Sequence, residues 1–285
     1  MRLYQWLKNG LIFVPLIAAH VWNQPDKLLA ALLAFISFGL CASSVYLLND
    51  LLDLSADRRH PRKRHRPFAA GSLPISQGII AIPLLLLGAF GLSLLINPPW
   101  FCAALAIYYG FTLAYSLRFK RTLMLDAIVL AGLYTLRIIA GTAAVSLQPS
   151  FWLLAFSMFL FLSLALVKRY AELLALSERG ELSTEGRGYQ VNDLGVLQSL
   201  GTSAGYLAVL VLALYVNSET SHALYGQPMV IWLLCPVLLY WISRVWLITH
   251  RGQMHDDPIL FALTDPPSRY AFLACGLIVF GAMPQ

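Results

Sequence analysis

The chain has 285 residues, 59% of them hydrophobic and 12% charged, with a formal net charge of +6. Soluble domains carry about 25% charged residues, so this composition excludes a soluble enzyme and points to one polytopic membrane domain over residues 1–285. No nucleic-acid-binding motif accompanies the positive charge. The four cysteines, Cys41, Cys102, Cys235 and Cys275, sit in apolar runs without metal-ligand spacing and read as small buried hydrophobes.

A membrane helix needs about 20 apolar residues. In chain order, nine segments come near that length: roughly 8–23, 27–48, 77–97, 100–117, 123–146, 150–171, 194–216, 228–249 and 268–284, the first and last being the shortest. Their continuous apolar runs exclude the alternating pattern of a β-barrel, so the expected class is an all-α bundle. The N-terminal MRLYQWLKN is basic and leads into the first segment with no cleavage-site pattern, which predicts a membrane helix and not a signal peptide. Trp6 and Lys8 suit its interfacial end. With the N-terminus in the cytoplasm, 18 of the 20 lysines and arginines fall on the inner side; Lys27 is outside and Arg137 lies within a span. This bias predicts cytoplasmic active-site loops in an inner membrane.

The most informative stretch is NDLLDLSADRRHPRKRHRPFAAG, residues 49–71, which follows the second segment. If that helix runs past Asp50, then Asp50, Asp53 and Asp57 fall within about 60° of one another at 3.6 residues per turn. Three like charges on one face repel unless a cation lies among them. Hard oxygen ligands suit Mg²⁺, which takes one or two carboxylates and shares the rest of its shell with water and phosphate; Asn49 adds a carbonyl oxygen. The helix is expected to stop near His60, because Pro61 disfavours helical geometry before it. Arg58, Arg59, Arg62, Lys63, Arg64 and Arg66 exceed what three aspartates can neutralise, and arginine and lysine match phosphate oxygens. Carboxylates for Mg²⁺ beside basic groups for phosphate describe a diphosphate site. The plain alternative is a solvated loop that serves membrane insertion.

Arg137 lies three helical turns from Asp126, on the same face of one span. An intramembrane arginine costs at least about 2.5 kcal/mol and points inward by default, either toward diphosphate in a polar cavity or into an ion pair between helices. Asp126 can bind metal or orient a basic partner. Tyr189 and Asp193 precede the seventh span; the tyrosine suits phosphate or sugar hydroxyls, or simply the interface. Asp256 and Asp257 form a second acidic group, or a turn, since DDP is turn composition. The aromatics of the spans, including Trp232, Trp241 and Trp246, suit the lipid belt and packing.

NDLLDLSADRRHPRKRHRP with the following AAG resembles the first aspartate-rich motif of the UbiA superfamily of intramembrane prenyltransferases. YSLRFKR at 115–121, LDAIVLAGLYTLRIIAG at 125–141 and KRYAEL at 168–173 extend the resemblance along most of the chain. QWLKN at 5–9 and KRYAEL are similar to the decaprenyl-phosphate phosphoribosyltransferase branch. Aromatic prenyltransferases of the superfamily carry a second D-x-x-x-D motif after span six; here that loop has Glu172, Glu178, Glu181 and Glu185 but a single aspartate, Asp193. The resemblance implies a UbiA-like bundle with Mg²⁺ on Asn49, Asp50, Asp53 and Asp57. It also implies phosphate binding by Lys120 and Arg121, donor or lipid-phosphate binding by Lys168, Arg169, Tyr170 and Glu172, and a lipid-phosphate contact at Lys8. For Lys168 and Glu172 the alternative is a surface i,i+4 pair. The implied reaction moves 5-phosphoribosyl from phosphoribosyl diphosphate to a polyprenyl phosphate. The alternatives are prenyl transfer from a polyprenyl diphosphate to an aromatic or other small acceptor, and a lipid-phosphate binder or transporter without catalysis. Whether a soluble phosphatase-type partner acts on the product is open at this level.

Overall fold

A computed structural model describes residues 3–59, 63–96, 99–180, 188–254 and 257–284, and every regular element in them is helical. A 3₁₀ helix, Leu3–Phe13, runs into α1 (Val14–Ala18). Then come α2 (Pro25–Leu52), α3 (Leu54–Arg59), α4 (Ile75–Ser93), α5 (Trp100–Leu117) and α6 (Leu125–Ala144). The rest is α7 (Phe151–Ser177), α8 (Leu194–Val216), α9 (Glu219–Leu224), α10 (Pro228–Ile231), α11 (Leu234–His250), α12 (Pro258–Thr264) and α13 (Pro266–Ala282).

Among the described residues, seven segments are long and apolar enough to cross a membrane: α2, α4, α5, α6, α7, residues 191–216 ending in α8, and residues 228–250 through α10 and α11. They match seven of the nine expected spans, and the protein is integral to a membrane. The two remaining candidates take other forms. The first is mostly 3₁₀ helix with one α-helical turn at its end, and the last, α13, is 17 residues long.

Local chemistry explains the boundaries. α2 and α10 begin with proline in the first turn, where the missing N–H costs nothing. Ser150 starts α7 by accepting the Leu153 N–H. Two Asp-Pro pairs do the same for the last helices: Asp257 accepts from Ile259 and Asp265 from Ser268, each ahead of a proline. The DDP stretch is thus a helix cap at Asp257; Asp256 lies outside the described residues. Pro83 sits inside α4, as membrane helices tolerate.

The chain forms two compact units, Met1–Leu117 with Leu136–Pro149, and Arg118–Thr135 with Ser150–Gln285. In the first, α2 packs along α4, α5 and the N-terminal 3₁₀ helix. The Trp6 ring lies flat on Gly39, where a Cβ would come within 2.7 Å of it, and its indole donates to Ser43 at 3.1 Å. Gly141 of α6 similarly meets the Ile12 backbone with no room for a side chain. In the second unit, α7 packs along α8, and α11 touches both. Trp246 donates to Ser163, which donates to the Gly201 carbonyl at 2.6 Å, so one hydroxyl ties α7, α8 and α11. Trp241 donates to Ser268 of α13. Both tryptophans are buried packing residues, whereas Trp232 is exposed. Small residues at helix contacts and polar links across them are how membrane helices associate where burial of apolar surface drives nothing.

Candidate functional site

The aspartate motif lies in the first unit. α2 continues past Asp50 as expected and ends at Leu52, and α3 runs to Arg59; the expected stop at His60 lies outside the described residues. Asp53 is the break between them, with φ −91° and ψ 9°. The helical bonding survives it: the Asp53 N–H reaches the Asn49 carbonyl at 2.9 Å and the Asp57 N–H reaches the Asp53 carbonyl at 2.8 Å. The phase of the two helices is therefore nearly kept, and Asp50 and Asp57 face one point. Both are buried, at 8% and 2% exposure.

That point holds the guanidinium of Arg66. Its Nη1 donates to Asp50 Oδ1 at 3.1 Å and to Asp57 Oδ2 at 2.6 Å. Two expectations bear on this point. Among the described residues no three acidic, histidine or cysteine side chains gather as a metal cluster; the two carboxylates that meet Arg66 are those of Asp50 and Asp57. And Arg66, expected at phosphate, neutralises aspartates. Its nitrogen stands where a cation between two carboxylates would stand. Two buried carboxylates converging on one cationic atom fit Mg²⁺, which takes one or two carboxylates.

The rest of the basic run is less confined. Arg58 and Arg64 are exposed. Arg62 and the side chain of Lys63 lie outside the described residues. Behind Arg66 the loop is fixed: the Ala70 N–H bonds the Arg66 carbonyl at 2.8 Å, and Phe68 is buried against Gly78 of α4.

Arg137 belongs to a second polar group of the first unit. Its Nε donates to Asn9 Oδ1 at 3.0 Å and its Nη2 to the Tyr108 hydroxyl at 2.8 Å, with all three residues buried. The Tyr108 ring itself packs against Phe38, tilted by 41°, with ring centroids 4.7 Å apart. Both of these acceptors are neutral. Asn9 ends the QWLKN stretch, and nothing in its own neighbourhood marked it as a partner of a residue 128 positions away. Lys8 beside it is half-buried.

The second unit holds a different cluster. Asp126 at the start of α6 and Arg169 in α7 are 0% and 2% exposed and meet at 3.2 Å, as an ion contact without hydrogen-bond alignment. Arg169 also donates to Glu172, one turn on, at 2.5 Å. Tyr189 donates to Asp126 at 2.5 Å and accepts the Met124 N–H at 3.2 Å. Burial first, and then the Asp126 carboxylate, push the Tyr189 hydroxyl well above the ordinary tyrosine range, so it remains a donor. Asp126 thus orients a basic partner, and Tyr189 is a buried strut and not an interfacial residue. Glu172 pairs with Arg169, and Lys168 reaches Asp257 at 3.6 Å. Tyr170 turns away from Arg169 and bonds His250 of α11 at 2.9 Å. Lys120 and Arg121 lie on the short 3₁₀ turn Phe119–Arg121, half-buried and exposed respectively.

The sequence pattern of the UbiA prenyltransferase family matches residues 11–274. The chain is similar to the y4nM protein of Sinorhizobium fredii, 38% identical over 94% of this chain and 52% of that protein. It is 38% identical to nodulation protein NoeC of Azorhizobium caulinodans, over 97% of this chain and 89% of NoeC. It is also 36% identical to decaprenyl-phosphate phosphoribosyltransferase of Corynebacterium glutamicum, over 63% of this chain and 54% of that enzyme. The chain spans about half the length of two of these three relatives. Its fold is that of a UbiA homologue from Archaeoglobus fulgidus bound to DMAPP and Mg²⁺, with a TM-score of 0.70 at 16% identity, over 98% of this chain and 94% of that one. The chain belongs to the UbiA prenyltransferase family of membrane transferases.

Proposed function

We propose that this protein is an Mg²⁺-dependent intramembrane transferase that moves 5-phosphoribosyl from phosphoribosyl diphosphate to a polyprenyl phosphate. The observation that carries it is the convergence of Asp50 and Asp57 on one cationic atom at the end of α2. The choice of transferred group rests on the similarity to decaprenyl-phosphate phosphoribosyltransferase and on the single aspartate in the loop after α7.

In this reading Asp50 and Asp57, with Asn49 and Asp53, would hold Mg²⁺, which supplies Lewis-acid stabilisation of the leaving pyrophosphate. The chain's own cations do the rest. Arg58, Arg62 and Lys63 bind phosphate oxygens and hold the donor's C1 open to attack. An oxygen of the acceptor phosphate forms the new bond to C1, and the C1–O bond to diphosphate breaks with its electron pair going to pyrophosphate. The acceptor oxygen is already anionic, so no general base is needed. Arg169, buried between two carboxylates, acts as a positioning residue for the end of α7.

The reading includes nine membrane segments with the N-terminus and the active-site loops in the cytoplasm of an inner membrane. The 3₁₀ rise of about 2 Å per residue makes the first one longer than its residue count suggests: with α1 it reaches about 29 Å, close to the hydrocarbon thickness.

A second reading is transfer of a prenyl group from a prenyl diphosphate to a small acceptor. It is favoured by the DMAPP-bound homologue of the same fold. Substrate feeding separates the two. Membranes containing the protein are given labelled phosphoribosyl diphosphate, polyprenyl phosphate and Mg²⁺; the expected result is a labelled lipid and released pyrophosphate. No labelled lipid, together with prenylation of an aromatic acid from polyprenyl diphosphate, would overturn the phosphoribosyl reading.

A further inference from the structure

The two carboxylates read as metal ligands already hold a cation that belongs to the chain. Arg66 reaches them from the far limb of the loop, 16 residues beyond Asp50 and 9 beyond Asp57, and a single nitrogen serves both. Its side chain is 28% exposed, while theirs are 10% and 3%. The carboxylates are therefore fixed and buried, and the cation is the accessible partner. The Arg66 backbone is tethered on the C-terminal side by the Ala70 N–H and by the adjoining turn, in which Leu73 N–H and Ser72 hydroxyl both bond the Pro67 carbonyl. A tethered backbone with a long, partly exposed side chain can release its partners by rotation alone.

Resting on the reading of Asp50 and Asp57 as Mg²⁺ ligands, we infer that Arg66 is a placeholder cation that exchanges partners when the metal arrives with diphosphate. Without substrate, its guanidinium neutralises the two aspartates, which otherwise repel each other in a buried site. A bare divalent ion must displace that guanidinium and leave it without a partner. A diphosphate-bound ion brings the replacement partner with it, because the planar guanidinium fork matches phosphate oxygens at least as well as carboxylate oxygens. The exchange keeps every charge paired. Metal and diphosphate then bind with positive coupling, each raising the affinity for the other by the same factor. The site does not load metal ahead of donor, and Arg66 becomes a diphosphate ligand in the loaded state.

The test measures metal binding without turnover. Purified full-length protein in detergent is titrated with Mn²⁺ as a paramagnetic stand-in for Mg²⁺, with and without inorganic pyrophosphate, for the wild type, Arg66→Gln and Arg66→Lys. Thermal melting confirms that each variant is folded. The wild type should bind Mn²⁺ weakly alone and about tenfold or more tightly with pyrophosphate, within the range of ordinary site coupling. Arg66→Gln should bind Mn²⁺ alone about tenfold more tightly than the wild type, and pyrophosphate should add little. Arg66→Lys, which keeps a cation but not the fork, should restore weak binding of Mn²⁺ alone. Equal or weaker binding of Mn²⁺ alone by Arg66→Gln overturns the exchange while leaving the metal reading intact. Failure of the wild type and both variants to bind Mn²⁺ at all, with or without pyrophosphate, overturns the metal reading and the exchange together. A wild type whose Mn²⁺ affinity pyrophosphate leaves unchanged also overturns the exchange. If Arg66→Gln does not fold, the comparison rests on Arg66→Lys: weak binding of Mn²⁺ alone is the expected result, and binding of Mn²⁺ alone more tightly than by the wild type overturns the exchange.

Discussion

The protein holds two arginines between pairs of carboxylates, and the two arrangements differ in one physical respect. Arg66 closes on Asp50 and Asp57 from a loop and keeps more than a quarter of its side chain in contact with the surroundings. Arg169 lies inside α7 at 2% exposure, held by Asp126 on one side and Glu172 on the other, with Tyr189 fixing Asp126. Exposure decides what such a pair can do. An accessible guanidinium can trade one anion for another at little cost, because phosphate or water replaces what it leaves. A buried one cannot leave, because Asp126, whose side chain is as buried as its own, would become an uncompensated charge in a poorly solvated place. The first arrangement suits binding chemistry, and the second suits holding a helix end in position.

The sharpest way to break the contrast is to remove Arg169. Arg169→Met should lower stability by about 3–5 kcal/mol, the usual consequence of leaving a buried partner charge alone. The double variant Arg169→Met with Asp126→Leu should recover part of that loss, since the orphaned carboxylate goes too. Both are read as unfolding midpoints in detergent. An Arg169→Met midpoint equal to that of the wild type would mean that this pair is no more structural than the other.

The first cluster should respond in the opposite sense. Asp57→Asn should reduce Mg²⁺-dependent pyrophosphate release by roughly a hundredfold or more, because a Lewis-acid contact is worth several kcal/mol of transition-state stabilisation. Its unfolding midpoint should hardly move, since Arg66 retains Asp50. Asp50→Asn should behave alike. Full pyrophosphate release by either variant would remove the aspartates from the chemistry.

What could be read in the sequence follows the distance over which each feature is determined. The spans and the shared face of Asp50 and Asp57 depend on residues within two or three turns, and helical spacing makes them legible. The break at Asp53 was hidden, because nothing about NDLLDLSAD distinguishes a continuous helix from one interrupted at a single residue. Partners were hidden further. Arg66 had five basic neighbours as rivals, and choosing it requires the path of the loop as set by Phe68 under Gly78. Asp126 with Arg169 and Asn9 with Arg137 join residues 43 and 128 positions apart. A faint signal existed for each: charges and an amide beside apolar runs must find partners. The sequence leaves open which partner. The 3₁₀ form of Leu3–Phe13 was equally hidden, since the spacing of its apolar residues does not separate it from an α-helix.

The smallest effect tests the strut of the second cluster. Tyr189→Phe removes one hydroxyl that donates to Asp126 and accepts from Met124, and should cost about 1.5–2 kcal/mol at neutral pH, as a hydrogen bond to a charged group does. Its pH dependence separates this bond from simple loss of packing. Burial and the Asp126 carboxylate raise the folded pKa of Tyr189 above the unfolded value of about 10. A raised folded pKa means that the folded state holds the proton more tightly, so the contribution is complete below about pH 10 and is lost as pH rises through the folded value. The wild type should therefore lose stability in alkali more steeply than Tyr189→Phe, and the gap between their midpoints should narrow above about pH 10. The other tyrosines titrate equally in both proteins and cancel in the difference. A gap that stays constant from neutral pH into alkali would mean that the hydroxyl acts through shape alone, and that Arg169 holds Asp126 without it.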